Sequence, residues 1–207
     1  MSKENDLLKD VFKLIAREQK RGHDVFYRMI NNDFTFVLKR LAIVGSLTDS
    51  NSKVDRMWER LLEIVLFFRT RKHRKPVEIL KSFIRVQDEK PKRLDNKERN
   101  GLRRAFGFLR RAYSQSGLGE TRLASDQTHF YIMITSIIDS NLLDAVPEPE
   151  LIMKLSSFSD VLERKQPAKK SIREKVAEYE QLSKQKTTDV SGREKRQSAF
   201  LEIVRAL

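Results

Sequence analysis

Residues 53–68, Lys53-Val-Asp-Arg-Met-Trp-Glu-Arg-Leu-Leu-Glu-Ile-Val-Leu-Phe-Phe68, decide the fold class. Val54, Met57, Trp58, Leu61, Leu62, Val65, Leu66 and Phe68 recur at i, i+3, i+4, i+7, the spacing of one helix face. Ile64 and Phe67 widen that face until the last two turns are apolar nearly all round, which predicts a core helix covered by several neighbours. Its polar residues, Asp55, Arg56, Glu59, Arg60 and Glu63, gather toward the front. Arg56–Arg60 and Glu59–Glu63 are like-charge pairs at i, i+4, mildly unfavourable alone. They suit a helix whose charged partners come from elsewhere in the fold.

Working outward, the same period recurs. Leu7, Leu8, Val11, Phe12, Leu14 and Ile15 predict a helix within 3–20, closed by Gly22. Asp24 opens a second, which pauses at Asn31-Asn32-Asp33 and runs on to Gly45. Pro76 starts a short helix after the basic run 69–75, since proline is favoured in a first helical turn. In 98–116, Leu102, Ala105, Phe106, Leu109, Ala112 and Tyr113 are predicted to face inward, and Arg99, Arg103, Arg104, Arg110 and Arg111 outward. Gly117 and Gly119 end that helix. Residues 125–144 read as one apolar helix capped by Ser125 or Asp126. Further helices follow Pro147 and Pro167. A last one runs to Leu207 with Ser191 as its cap. No stretch alternates with period two between turn signals. The expectation is an all-α fold, a single irregular bundle of about nine helices over 1–207, with a weak sub-boundary near 145–150.

Lys and Arg number 42 against 29 Asp and Glu, a net charge of +13. Such a surplus points to a polyanionic partner, nucleic acid first. The chain has no Cys, which excludes thiol chemistry, disulfides and Cys-bound zinc and suits a reducing cytoplasm. The N-terminus carries no apolar signal core, and no apolar run approaches membrane-spanning length.

His23, His73 and His129 are scattered and lack metal-ligand or acid–base spacing. His73, inside the basic run, reads as a surface group, and His129 beside Phe130 and Tyr131 as a core or edge residue. There is no P-loop and no Gly-x-Ser-x-Gly elbow, so no catalytic residue, metal or cofactor is expected. The positive signal is basic. Arg69, Arg71, Lys72, Arg74 and Lys75 form the densest run, and Arg99, Arg103, Arg104, Arg110 and Arg111 line the following helix. Guanidinium forks bind phosphate bidentately, and lysine adds point charge. Arg193, Lys195 and Arg196 form a third cluster at the start of the last helix, where cations oppose the helix dipole and so want a partner, an internal carboxylate or a phosphate.

Three blocks resemble the helical half of the GmrSD-type restriction endonuclease N-terminal-domain family of bacterial anti-phage defence, from about Asp24 to Leu207. The first is Arg56-Met57, Glu59, Leu62 and Leu66-Phe67-Phe68-Arg69; the second is Leu102 to Tyr113 with Ser125 to Ile138. The third is Tyr179, Leu182, Ser183, Thr187-Thr188, Arg193, Arg196 and Phe200 to Leu207. The family's Asp-Gly-Gln-Gln-Arg-like motif, tied to nucleotide hydrolysis, and its HNH segment are absent. The resemblance therefore implies a non-enzymatic helical module that binds DNA or RNA, a partner chain carrying the catalytic half, or both. A helical subunit of an RNA-guided nucleoprotein effector, an enzyme completed in trans, and a scaffold for an acidic protein are the alternative readings.

Overall fold

The computed structural model describes residues 63–68, 70–74, 96–165, 168–184 and 189–207. The expected helices before residue 63, the short helix after Pro76, and Arg69 and Lys75 lie outside these. Among the described residues there are helices and turns and no strand, so the fold is all-α. The chain forms two compact units, Met1–Phe106 and Gly107–Leu207. The division falls inside the helix Asn96–Ser116.

In the first unit, 63–68 is helical, as the quoted stretch predicts. Four consecutive residues, Ile64, Val65, Leu66 and Phe67, are at most 2% exposed, which a one-sided amphipathic helix cannot achieve. Thr70 Oγ1 donates to Leu66 O at 2.9 Å, and Arg71, at φ 53°, turns the chain out of the helix in the left-handed region. Helix α1, Asn96–Ser116, begins in this unit. Gly101 faces Phe68: an added Cβ would lie 2.6 Å from Cε2 and closer still to Cζ, so any larger residue requires the ring to move.

In the second unit, α1 stops at Gly117, whose φ of 68° is the left-handed cap that glycine adopts freely. A 3₁₀ turn, Leu118–Glu120, leads to α2, Arg122–Ser125, and α3, Gln127–Asp139. Asp126 caps α3, its carboxylate accepting from Thr128 N at 2.8 Å and His129 N at 3.1 Å. Every residue from His129 to Ile138 is buried, so α3 is the core helix here. The single helix expected over 125–144 is in fact broken. Asn141 takes φ 50°, a conformation asparagine tolerates, and α4, Leu142–Ala145, starts anew. Then come α5, Glu148–Leu162, α6, Lys170–Lys184, and α7, Val190–Ala206. Asp189, not Ser191, caps α7, accepting from Gly192 N at 3.0 Å.

Helix α7 packs on α3, α5 and α6. Their meeting point is aromatic. The Phe158 ring centroid lies 5.2 Å from that of Tyr179, edge to face, and 5.3 Å from that of Phe200. Placing one ring from each of α5, α6 and α7 at a single point fixes the three helices together.

Candidate nucleic-acid interface

The basic residues divide by burial. On α1, Arg103, Arg104, Arg110 and Arg111 are exposed, while Leu102, Ala105, Phe106, Phe108, Leu109, Ala112 and Tyr113 are buried. At about 100° per residue, the four arginines span a sector of about 120°, at whose centre Gly107 is itself buried. Two pairs seven residues apart stand about 10 Å from each other along the axis at about 1.5 Å per residue. The backbone of Arg99 belongs to the same helix. Arg111 is already engaged: Nε and Nη2 donate to the two carboxylate oxygens of Glu148 at 2.6 and 2.9 Å, a bidentate fork that holds Glu148 below the usual carboxylate range.

In the first unit, Arg71 and Lys72 are exposed and Arg74 is half-buried. The Arg71 guanidinium sits 4.8 Å from the Phe68 ring centroid, a cation–π contact. His73 is not the surface group the basic run suggests. It is 3% exposed, with its ring 4.8 Å from that of Phe67. The backbone bend after Arg71 carries this one ring inward.

The third cluster is corrected most. Lys195 is exposed, but Arg193 and Arg196 are 2% and 0% exposed and are not surface contacts. The Arg193 guanidinium lies 4.6 Å from the Tyr131 ring centroid, and Arg196 Nη1 donates to Leu182 O at 3.0 Å. Burial first, and the neighbouring Arg193 charge second, press Arg196 below the ordinary arginine value. Arginine still remains charged in proteins. An aromatic face and a backbone carbonyl inside the unit are among the partners of these cations, and the Asp189 carboxylate acts on Arg196 as well.

Beside them is a buried pair. His129 Nδ1 and the Tyr179 hydroxyl are 2.9 Å apart, with both residues at most 1% exposed. Burial lowers the His129 pKa and raises that of Tyr179. With imidazole neutral and phenol protonated, the two share one hydrogen bond whose donor is set by the imidazole tautomer. This makes His129 the satisfied core histidine that its apolar neighbours suggest.

No group of three or more His, Asp or Glu suited to a metal occurs among the described residues, and no helix there is long and apolar enough to cross a membrane. The structure also gathers residues that sequence reading did not join. Arg164, Lys165 and Arg173 line one groove between α5 and α6. They belong to different elements, so neither spacing nor periodicity links them. No family model, no curated protein and no solved structure matches this chain.

Proposed function

We propose that the chain is a non-enzymatic helical module that binds nucleic acid through its basic surface and works beside a catalytic partner chain in a bacterial defence or restriction system. The observation that carries the nucleic-acid reading is α1. It presents four exposed arginines, flanking the buried Gly107, in a chain of net charge +13. Exposed guanidinium groups bind phosphate oxygens, and the contacts release condensed counterions. The resemblance to the helical half of the restriction family supports the biological setting and the catalytic partner. Arg193 and Arg196 leave the proposed contact set because they are buried. Arg69, Arg71, Lys72, Arg74, Lys75, Arg99, Arg103, Arg104, Arg110, Arg111 and Lys195 remain in it.

The test is fluorescence anisotropy with labelled single- and double-stranded DNA and RNA at two salt concentrations. With six or more phosphates neutralised, affinity falls by about a thousandfold or more between about 50 and about 200 mM salt. An Arg103→Gln/Arg110→Gln variant weakens binding to all sequences alike and lowers the salt slope by about 2. Absence of binding, or affinity indifferent to salt, refutes the reading.

A further inference from the structure

The groove between the C-terminal end of α5 and the face of α6 has a volume of about 440 Å³, within the size range of small-ligand sites. Its base is apolar. Leu162 and Val176 are each 4% exposed, and Val161 and Ala177 extend the apolar surface beside them. Around it stand Arg164, Lys165 and Arg173. Among the described residues, no ion pair ties Arg164 or Arg173 to a carboxylate. Lys165 Nζ rests on Glu163 at 2.7 Å, and the Glu163 carboxylate also accepts from Arg122 N and Ser159 Oγ. Glu180, the acidic residue of the lining, is held by Arg122 at 3.0 Å and by Lys184 at 3.7 Å. The Glu180 charge is therefore answered mainly by Arg122 and Lys184 outside the groove, with Arg164 contributing from within it, and with Lys165 paired to Glu163 the two guanidinium groups leave the groove positive.

We infer that this groove binds a phosphate monoester carrying an apolar or aromatic body. Two guanidinium forks match the three oxygens of a terminal phosphate dianion better than one carboxylate. The apolar base accounts for the body, which a bare anion would leave uncovered. The monoester has two sources, a free small molecule such as a nucleotide and the 5′ end of a nucleic-acid strand. The inference stands apart from the α1 interface: a chain that binds nucleotide but shows no salt-dependent oligonucleotide binding retains this site and loses the other.

The experiment is isothermal titration calorimetry on the full chain with adenosine 5′-monophosphate, adenosine and inorganic phosphate. The monophosphate binds, and each of its halves binds at least about tenfold more weakly, because each meets only part of the groove. Arg164→Gln/Arg173→Gln weakens the monophosphate at least about tenfold, with circular dichroism unchanged. Ala177→Trp fills the groove while keeping every charge, and it also loses binding. Displacement by a 5′-phosphorylated oligonucleotide but not by its 5′-hydroxyl counterpart identifies a strand end as the source. Displacement by neither identifies a free small molecule. No heat with the monophosphate overturns the inference. So do equal affinity for inorganic phosphate, native affinity in either variant, or equal displacement by both oligonucleotides.

Discussion

Tyr179→Phe removes one oxygen atom and leaves the aromatic cluster in place. The ring still meets Phe158 at 5.2 Å and Phe200 at 6.3 Å between centroids. What disappears is the 2.9 Å hydrogen bond to His129 Nδ1, between residues 0% and 1% exposed. Water does not take its place, since the void of a single hydroxyl is too small to hold one. The buried imidazole nitrogen is left to bear its own desolvation, about 1–3 kcal/mol. Losing the need to desolvate the phenol offsets part of this, so a net loss of about 1.5 kcal/mol is expected. With a urea slope of about 2 kcal/mol/M, the midpoint for the unit drops by about 0.7 M. Urea unfolding followed by far-ultraviolet circular dichroism reads the loss of helix in every variant alike. His129→Phe/Tyr179→Phe supplies the control: replacing both partners by apolar rings removes the unsatisfied nitrogen, so the double variant recovers at least about 1 kcal/mol relative to additivity. A midpoint for Tyr179→Phe within about 0.2 M of the native chain, at that slope, refutes the reasoning.

Burial lowers the His129 pKa from 6.5, against the opposing pull of Asp126 and Glu180 and with help from Arg122 and Arg196. The unfolded chain therefore takes up a proton that the folded chain resists. The contribution of His129 is complete above pH 6.5 and is lost as pH falls from 6.5 toward the lower folded value, and His129→Gln flattens that part of a stability-against-pH curve. Gly101→Ala drives a methyl group into the Phe68 ring and costs about 1–3 kcal/mol, seen as a lower thermal midpoint; an unchanged midpoint means the ring swings clear freely. Glu148→Gln releases Arg111 from its fork; the pair is largely exposed, so stability changes by less than about 1 kcal/mol. The same variant raises oligonucleotide affinity at low salt and steepens the salt slope by up to about 1, whereas an unaltered slope removes Arg111 from the interface.

The legible parts of this molecule are those where one helix carries its own answer. Leu102, Ala105, Phe106, Leu109, Ala112 and Tyr113 share a face by period alone, and all six are buried. The crowded end of the quoted stretch is likewise buried from Ile64 to Phe67. Arg193 and Arg196 were not legible, because what receives them lies far off in sequence. Tyr131 is on α3, and the Leu182 carbonyl lies near the end of α6. Seen on α7 alone, both look like solvent-facing cations badly placed against the dipole. His73 misleads for a related reason, since its neighbours are basic and its fate rests on the turn at Arg71. The break at Asn141 had only a weak signal, because Ser140-Asn141 lies between apolar residues that continue the helical period. Arg164 and Lys165 follow α5 while Arg173 lies on α6, and no local pattern joins them.

The inward-turned guanidinium groups of α7 also make this protein its own clock. A reagent selective for guanidines reaches Arg103 and Arg110 on the native surface at once. It reaches Arg193 and Arg196 only when α7 lifts from α3 and α6. The slow labelling of those two side chains, resolved by mass spectrometry, therefore times the opening of the helical core without any engineered probe.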